Sequence, residues 1–316
     1  MPPDLVVLFE HPDWQKPLFA ALDRRSIPYA ALDLKRAAFD PDSVPAAPLY
    51  FNQASPSAYV RGNTRAVPFT LSLIRSLELS GARVLNGSRA FSLELSKSAQ
   101  AALMHRLDIP HPRTLAFNDV DAALAQWGDR WPALLKPEQG GSGARMFLLH
   151  SAEELRRLLD TQPDLWLPDN LLLLQEYFET DPKQGIVRME FLAGNLLYAM
   201  RVISHGAFNL CPSEVCNPAD GQPGHCDVPA AKPVEFHPYK EVPADAVESG
   251  KRLMSAGGLD VGGIEYLETR DGRRVFYDIN ANSNLRAPIA RAFGFDPFDR
   301  VVDFLLESVR TLSPSA

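Results

Sequence analysis

The stretch Gly262-Gly263-Ile264-Glu265-Tyr266-Leu267-Glu268-Thr269-Arg270-Asp271-Gly272-Arg273-Arg274-Val275-Phe276-Tyr277-Asp278-Ile279-Asn280 decides how the rest of the chain is read. Two apolar runs, Gly262–Thr269 and Arg274–Asn280, flank the turn Arg270-Asp271-Gly272-Arg273, which is the pattern of a β-hairpin. Side chains alternate faces along a strand, so Asp278 and Asn280 are expected to point one way, and Tyr277 and Ile279 the other. Pairing about the turn brings Glu265 close to Asp278. Two carboxylates and a carboxamide on one face make a magnesium site, because a hard cation takes oxygen ligands and binds through one or two carboxylates plus its substrate's phosphates. Without a cation, such a carboxylate pair in an apolar frame is costly.

Upstream, Ala133-Leu134-Leu135-Lys136-Pro137 reads as a strand. It runs into Glu138-Gln139-Gly140-Gly141-Ser142-Gly143 before a second strand, Arg145–Leu149. Lacking Cβ atoms, these glycines let backbone amides turn toward phosphate oxygens, and Lys136 adds a point charge. No Gly-Lys-Ser/Thr follows and no helix opens there, so the loop is neither a Walker loop nor a dinucleotide fingerprint. The same composition also suits an ordinary hairpin or linker, and both readings stay open. Between the two hairpins, the apolar strand Leu171-Leu172-Leu173-Leu174-Gln175-Glu176-Tyr177-Phe178 ends in polar and aromatic groups. Backbone near Glu176 and Phe178 can hydrogen-bond an adenine edge, Tyr177 or Phe178 can pack on its face, and Glu179 or Asp181 can reach ribose hydroxyls. The alternative is a buried strand leaving the core.

In order, Lys97, Lys136-Pro-x-x-Gly-Gly-x-Gly, Gln175-Glu176-Tyr177-Phe178, Arg188, Glu265 and Asp278-Ile-Asn280 resemble the ATP-grasp superfamily over nearly the whole chain. Within it the chain is most similar to RimK-type glutamate ligases and glutathione-synthetase-like carboxylate–amine ligases, including the phrase Leu107-Asp-Ile-Pro110-His-Pro112-Arg-Thr114. One departure is Asp278, where that family usually has Glu, a shorter ligand that weakens or shifts a second metal. The resemblance implies an α/β ATP-grasp fold with a Rossmann-like N-terminal domain and two lobes enclosing ATP, with Mg2+ as the metal and Mn2+ as the alternative. It implies that Lys97 and Lys136 neutralise phosphate charge, that Gly140, Gly141, Ser142 and Gly143 close over the phosphates, and that Arg188 and Arg201 hold the γ-phosphate or an acyl phosphate. It implies a carboxylate substrate and an amine substrate, one of them an amino acid or peptide, joined through an acyl phosphate. A non-catalytic ATP-binding sensor and an ATP-grasp kinase are the alternatives.

Composition agrees with such an enzyme. The 316 residues exceed one typical domain, and 32 basic against 39 acidic residues give a formal charge of −7, which argues against nucleic-acid binding or an anionic membrane surface. The N-terminus lacks a signal-peptide pattern and no apolar run approaches a membrane span, so a soluble, cytoplasmic protein is expected. Strands at Leu5–Phe9 and Tyr29–Asp33 around a helix at Gln15–Arg25 open a βαβ unit. A strand at Leu49–Gln53 and a helix at Val67–Leu79 follow. The expected divisions are an N-terminal α/β domain over 1–88, a central lobe over 89–173 and a C-terminal lobe over 174–316. The central lobe holds one amphipathic helix over Ser92–Leu107 and a capping box at Ser151-Ala-Glu-Glu154. The C-terminal lobe holds strands at Ile186–Leu192 and Leu196–Ile203, a helix near Ala244–Ala256 and a last helix after Asp296-Pro297.

Several residues carry two readings. Lys97 is either a phosphate ligand or a solvated lysine on a helix, and Arg188 and Arg201 are either anion clamps or strand ion pairs. Arg286, following Asn282 and Asn284, either holds a substrate carboxylate or caps the next helix. His11, Asp13 and Trp14 either face the substrate pocket or sit on a surface loop. The proline-rich segment 205–240 contains Cys211, Cys216 and Cys226 with His225 and His237, and reads as a loop insertion covering the substrate pocket; zinc is the minority reading because close Cys-x2-Cys pairs are absent. Relatives of this kind are often dimers or tetramers, so a homo-oligomer is compatible with the chain.

Overall fold

Leu5–Phe9 (β1) is apolar without a break and buried on both faces, as a strand inside a parallel sheet must be. Pro12–Arg24 (α1) returns the chain to Ala30–Asp33 (β2). Leu49–Gln53 (β3), the helix Ala66–Leu79 (α2) and Arg83–Leu85 (β4) complete a parallel sheet in the order β2-β1-β3-β4. The computed structural model describes residues 3–312 except 44, 142, 182 and 206–233. Ser142, Cys211, Cys216, Cys226 and His225 therefore lie outside the described residues. Among the described residues no helix is long and apolar enough to cross a membrane.

The helix expected over Ser92–Leu107 is two helices, Ser88–Glu94 (α3) and Lys97–Arg106 (α4). Ser96 breaks it. Its hydroxyl accepts the Ala99 N–H at 3.0 Å, as an N-cap does, and also reaches Glu138 Oε1 at 2.5 Å. The cap places Lys97 at the first position of α4 rather than on a solvated helical face.

Thr114–Phe117 (β5), Val120–Trp127 (α5), Ala133–Pro137 (β6), Phe147–Leu149 (β7), Ala152–Thr161 (α6) and Leu172–Glu176 (β8) form a second unit. Its antiparallel sheet runs β5-β8-β6-β7, and the two helices bury Trp127, Leu155 and Leu159 against it. Ser151 caps α6, although Glu154 turns back to the N–H of His150 rather than to that of Ser151. The second strand of the glycine hairpin begins at Phe147, two residues later than expected, because Arg145 has a left-handed φ of 55°. A division at residue 173 falls inside β8, whose partners are β5 and β6.

The third sheet is antiparallel, in the order β11-β10-β9-β12-β13. Its strands are Ile186–Leu192 (β9), Asn195–Ile203 (β10), Glu235–Pro238 (β11), Val261–Glu268 (β12) and Arg274–Asn280 (β13). The helices Ala244–Gly257 (α7), Ala287–Arg291 (α8) and Pro297–Leu312 (α9) complete the fold. Part of the expected loop insertion is thus a strand: Glu235–Pro238 pairs with Met200–Ile203. One apolar core joins the first and third sheets, with Leu5, Val7 and Leu22 in the same cluster as Tyr198, Met200 and Val302. Arg24 of α1 and Arg25 just after it pair with Asp299 and Asp303 of α9 at 2.5 and 2.7 Å along its edge.

Candidate active site

A cavity of about 340 Å3 is walled by residues from all three units, within the ~300–1,000 Å3 common for ligand pockets. Its floor is a row across three strands. Register sets Arg188 of β9 opposite Glu265 of β12, and Glu265 opposite Asp278 of β13. Arg188 is 3% exposed and bonded through all three nitrogens: Nε donates to Glu190 Oε1 at 2.6 Å, Nη1 to Glu265 Oε1 at 2.6 Å and Nη2 to Ser283 Oγ at 3.1 Å. Burial opposes its charge, but Glu190 and Glu265 outweigh burial and hold the guanidinium protonated. Burial pushes the Glu265 carboxyl up, against the pull of Arg188. Lys97 forms an ion pair with Asp278 Oδ1, and Asn280 Nδ2 donates to Asp278 Oδ2 at 3.2 Å.

Tyr277 corrects the simple alternation. A bulge follows the Glu265–Asp278 pair, so that Tyr266 is opposite Phe276 and Tyr277 is extra. Tyr277 therefore faces the cavity, and its hydroxyl donates to Glu265 Oε2 at 2.7 Å. Ile279 does enter the core, fully buried.

Across the cavity, Lys136 of β6 donates to Gln175 Oε1 of β8 at 2.5 Å, with its Nζ 5.5 Å from the centre of the Tyr277 ring. Burial lowers this lysine from 10.5 to about 8, with Lys97 adding to the fall and Asp278 and Glu265 opposing it. The glycine loop is fastened at several points. Glu138 accepts from the N–H of Ser98 at 3.0 Å, Gln139 N donates to Asp169 Oδ2 at 2.9 Å, and Gln139 Nε2 donates to the Pro56 carbonyl at 3.0 Å. A Cβ on Gly141 would lie 2.6 Å from Ser57 Cβ and 3.1 Å from Ser57 backbone, so that approach needs glycine, whereas one on Gly140 would meet only the end of the Lys97 side chain, at 2.9 Å from Cε. Away from these charges the wall turns apolar, with Leu134, Met146, Leu148, Ile186 and Leu267 beside Tyr177 and Phe178. Strand β8 ends at Glu176, leaving the backbone of Tyr177 and Phe178 beyond the ladder.

Lys97, Lys136, Gly140, Gly141, Gly143, Gln175, Glu176, Tyr177, Phe178, Arg188, Glu265, Asp278 and Asn280 all line this one cavity. Other expected residues do not. Glu179 ion-pairs with Arg270 at 2.7 Å. Arg201 donates to Glu268 Oε2 at 2.9 Å and lies 4.4 Å over the Tyr239 ring. Asp181 accepts the Lys183 N–H at 2.8 Å and closes a turn. Arg286 lies 4.1 Å over the Phe236 ring, and its backbone N–H donates to the Tyr198 hydroxyl at 2.7 Å. Arg188 lines the cavity, with one N–H from each of its three nitrogens bonded to the floor. Of the first loop, Trp14 reaches the cavity wall. His205 and His237 both hydrogen-bond Glu235, at 2.8 and 3.0 Å.

The sequence reading missed Glu94. It is 3% exposed, lines the cavity, and burial pushes its carboxyl up to about 8. One buried acid near the end of a helix gives no sequence signal by itself. Around the floor, Arg188, Lys97 and Lys136 face Glu190, Glu265, Asp278 and Glu94, an excess of one carboxyl. Among the described residues no three His, Cys, Asp or Glu side chains are grouped to hold a metal alone. The donor set nevertheless fits Mg2+, since two carboxylates and one carboxamide leave coordination positions for phosphate oxygens and water.

No protein-family model matches the chain, and no curated protein matches it in sequence. Many solved structures do match. The ATP-grasp ligase PsnB, complexed with a minimal precursor, superposes with a TM-score of 0.66 at 17% identity over 99% of this chain and 100% of its own. Another structure of PsnB contains Mg and ADP. A RimK domain ATP-grasp protein from Sphaerobacter thermophilus has a TM-score of 0.66 at 18% identity, over 95% of this chain and 98% of its own. D-alanyl-alanine synthetase A from Vibrio cholerae reaches 0.70 at 11% identity, over 98% of this chain and 100% of its own. What is shared at such identities is the architecture, and the chain has the ATP-grasp fold.

Proposed function

We propose that this protein is an ATP-dependent carboxylate–amine ligase, which activates a carboxylate as its acyl phosphate and transfers the acyl group to an amine. The observation that carries the reading is the convergence, in one cavity, of Lys97, Lys136 and the Gly140–Gly143 loop with the Glu265–Asp278–Asn280 row. Cations and loop amides are what a polyphosphate needs, and the oxygen row is what its metal needs. The apolar slot beside Tyr177 and Phe178 suits a purine. The ligase neighbours, one of them holding Mg and ADP, support the same reading.

In this reading Glu265, Asp278 and Asn280 hold Mg2+, which when bound neutralises phosphate charge as a Lewis acid. Lys136 binds the phosphates as a point charge, and Lys97 joins it once Asp278 turns from the ion pair to the metal. Arg188 acts from below, fixing Glu265 rather than touching substrate. The substrate carboxylate attacks the γ-phosphorus and ADP leaves. The amine then attacks the acyl carbon, phosphate departs with the bonding pair, and an amide remains. Acyl phosphates hydrolyse readily, so the glycine loop resting on Ser57 serves to exclude water.

The deciding experiment incubates the protein with ATP, Mg2+ and pooled amino acids, peptides and small carboxylates, following ADP, phosphate and product mass. A product one water lighter than an acid plus an amine, with one ADP and one phosphate, establishes the ligase. ADP with a stable phosphorylated product and no amine requirement establishes a kinase instead. ATP bound but never cleaved in any pool makes the protein a nucleotide sensor.

A further inference from the structure

We propose that Glu94 Oε2 and Asn282 Oδ1 together seat the primary ammonium group of the amine substrate. Calling that group a substrate rests on the ligase reading, whereas its binding does not. The two side chains come from α3 and from the segment after β13, and they meet because the Asn282 N–H donates to Glu94 Oε1 at 3.0 Å. Asn282 Nδ2 donates to the Gln53 carbonyl at 3.0 Å. A carbonyl oxygen can only accept, so this bond fixes which end of the carboxamide is nitrogen. Each side chain therefore has one oxygen left over, Oε2 of Glu94 and Oδ1 of Asn282.

Among the described residues Glu94 Oε2 and Asn282 Oδ1 have no hydrogen-bond partner, although the two residues are only 3% and 8% exposed. Both residues line the cavity. Buried acceptors are normally paired, and leaving one unpaired costs about 1–3 kcal/mol. Burial disfavours the charged form of Glu94, so a donor with positive charge both fills this acceptor pair and holds the carboxyl as its carboxylate. An ammonium group supplies three N–H donors from one compact centre, enough for both oxygens and one more. A carboxylate would be repelled here, and the lining cations Lys97, Lys136 and Arg188 are each already bonded to other side chains. Among the described residues the same cavity carries one unpartnered buried donor, the indole N–H of Trp14. Its ring is held between His11, stacked at 4.5 Å, and Arg61, at 4.7 Å. The donor suits a neutral oxygen on the same ligand, so the class is a primary amine bearing a carbonyl or hydroxyl, as in an amino amide or a peptide N-terminus.

The test titrates the whole protein by calorimetry with glycinamide and ethanolamine, with glycolamide as the uncharged match and acetate as the anion. Each titration is run with and without Mg2+ and a non-hydrolysable ATP analogue. The expected result is saturable binding of both amines, at least tenfold tighter than glycolamide, with none for acetate. Glu94→Gln, which keeps the bond to the Asn282 N–H but presents a donor to the ammonium, should weaken the amines about tenfold or more. Asn282→Ala should do the same, and it carries the test alone if Glu94→Gln does not fold. Binding of the ATP analogue should change less than threefold in either variant. Equal binding of amines and glycolamide, no amine binding, or wild-type affinity in both variants overturns the proposal. Displacement of glycinamide by KCl or MgCl2 at equal ionic strength also overturns it, assigning the oxygens to a metal cation. If the amines bind as expected but the ATP analogue does not, the nucleotide reading fails and this one stands.

Discussion

Two hairpins face each other across the cavity. β12 and β13 pair from Gly263–Asn280 to Glu268–Arg274, and β12 is flanked on its other edge by β9 from Val261 to Leu267. β6 and β7 pair only over Ala133–Leu135 with Phe147–Leu149, and the residues between them are held through their own side chains, Glu138 accepting from the Ser98 N–H and Gln139 donating to the Pro56 carbonyl. The first hairpin fixes its charges through strand register, which cannot slip by one residue without turning every side chain to the other face. The second fixes its glycines through contacts that can open without unfolding a sheet. The proposed ligase reading calls for both kinds of wall, a rigid one to place charge and a detachable one to admit substrate and shut out water.

The sharpest way to break this contrast is Arg188→Met. It leaves Glu190 and Glu265 buried without their cation, and removing one partner of a buried pair costs about 3–5 kcal/mol. Urea unfolding should show that loss. A loss below about 1 kcal/mol would mean that register alone holds the floor. Asp278→Ala tests the same floor for chemistry rather than rigidity: it removes a metal ligand from the rim, where Asp278 is partly exposed, and should cut ATP turnover by about 10²–10³-fold with little change in unfolding. Turnover within a few-fold of wild type would take the metal away from this row.

Lys136 belongs to the detachable side by position yet is buried, and burial shifts its titration. Its pKa falls from 10.5 to about 8, so folding disfavours its charged form. Between about pH 8 and 10.5 the unfolded chain holds a proton that the folded chain has lost. Stability from this group therefore rises with pH across that window, by at most roughly 3 kcal/mol, and the penalty is fully present below pH 8. Nucleotide binding runs the other way, since a phosphate needs the ammonium form. Affinity for ATP should fall as pH rises through about 8, and Lys136→Met should lower turnover about 10²-fold while removing that pH dependence. An unchanged pH profile in the variant would show that another group binds the phosphates.

How much of this was legible in the sequence follows the same contrast. β1, β3, β9 and the Glu265–Asp278 pairing are readable because long buried apolar runs and one short turn leave few alternatives. Their charged ends carried the candidate site with them. Tyr277 was misplaced because a bulge breaks the period of two without a marker in the residues. The split between α3 and α4 was missed because Ser96 is held by Glu138, forty-two residues away, and no local propensity reports such a partner. Glu94 escaped for the same reason, being bonded to Asn282 across 188 residues. Arg201 carried the expected charge on the expected strand but pairs with Glu268, a neighbour set by sheet order rather than by sequence.

The smallest expected effect tests whether the glycine loop closes on Ser57 in the working enzyme. A Cβ at Gly141 would meet Ser57 Cβ at 2.6 Å and Ser57 backbone at 3.1 Å, too close for either side to absorb without moving. Overpacking of this kind costs about 1–3 kcal/mol, and because the loop is held by side-chain contacts the cost should appear as loop opening rather than unfolding. Gly141→Ala should therefore leave the unfolding midpoint nearly unchanged, weaken ATP about five- to tenfold, and raise the fraction of ADP formed without amide product as water enters. Replacing Ser57 by Gly in the same chain removes the facing Cβ and should recover part of both losses, since contacting sites couple where distant ones add. A strictly additive double variant would mean that the loop binds phosphate in a position away from Ser57, and that the detachable wall closes on some other part of the first unit.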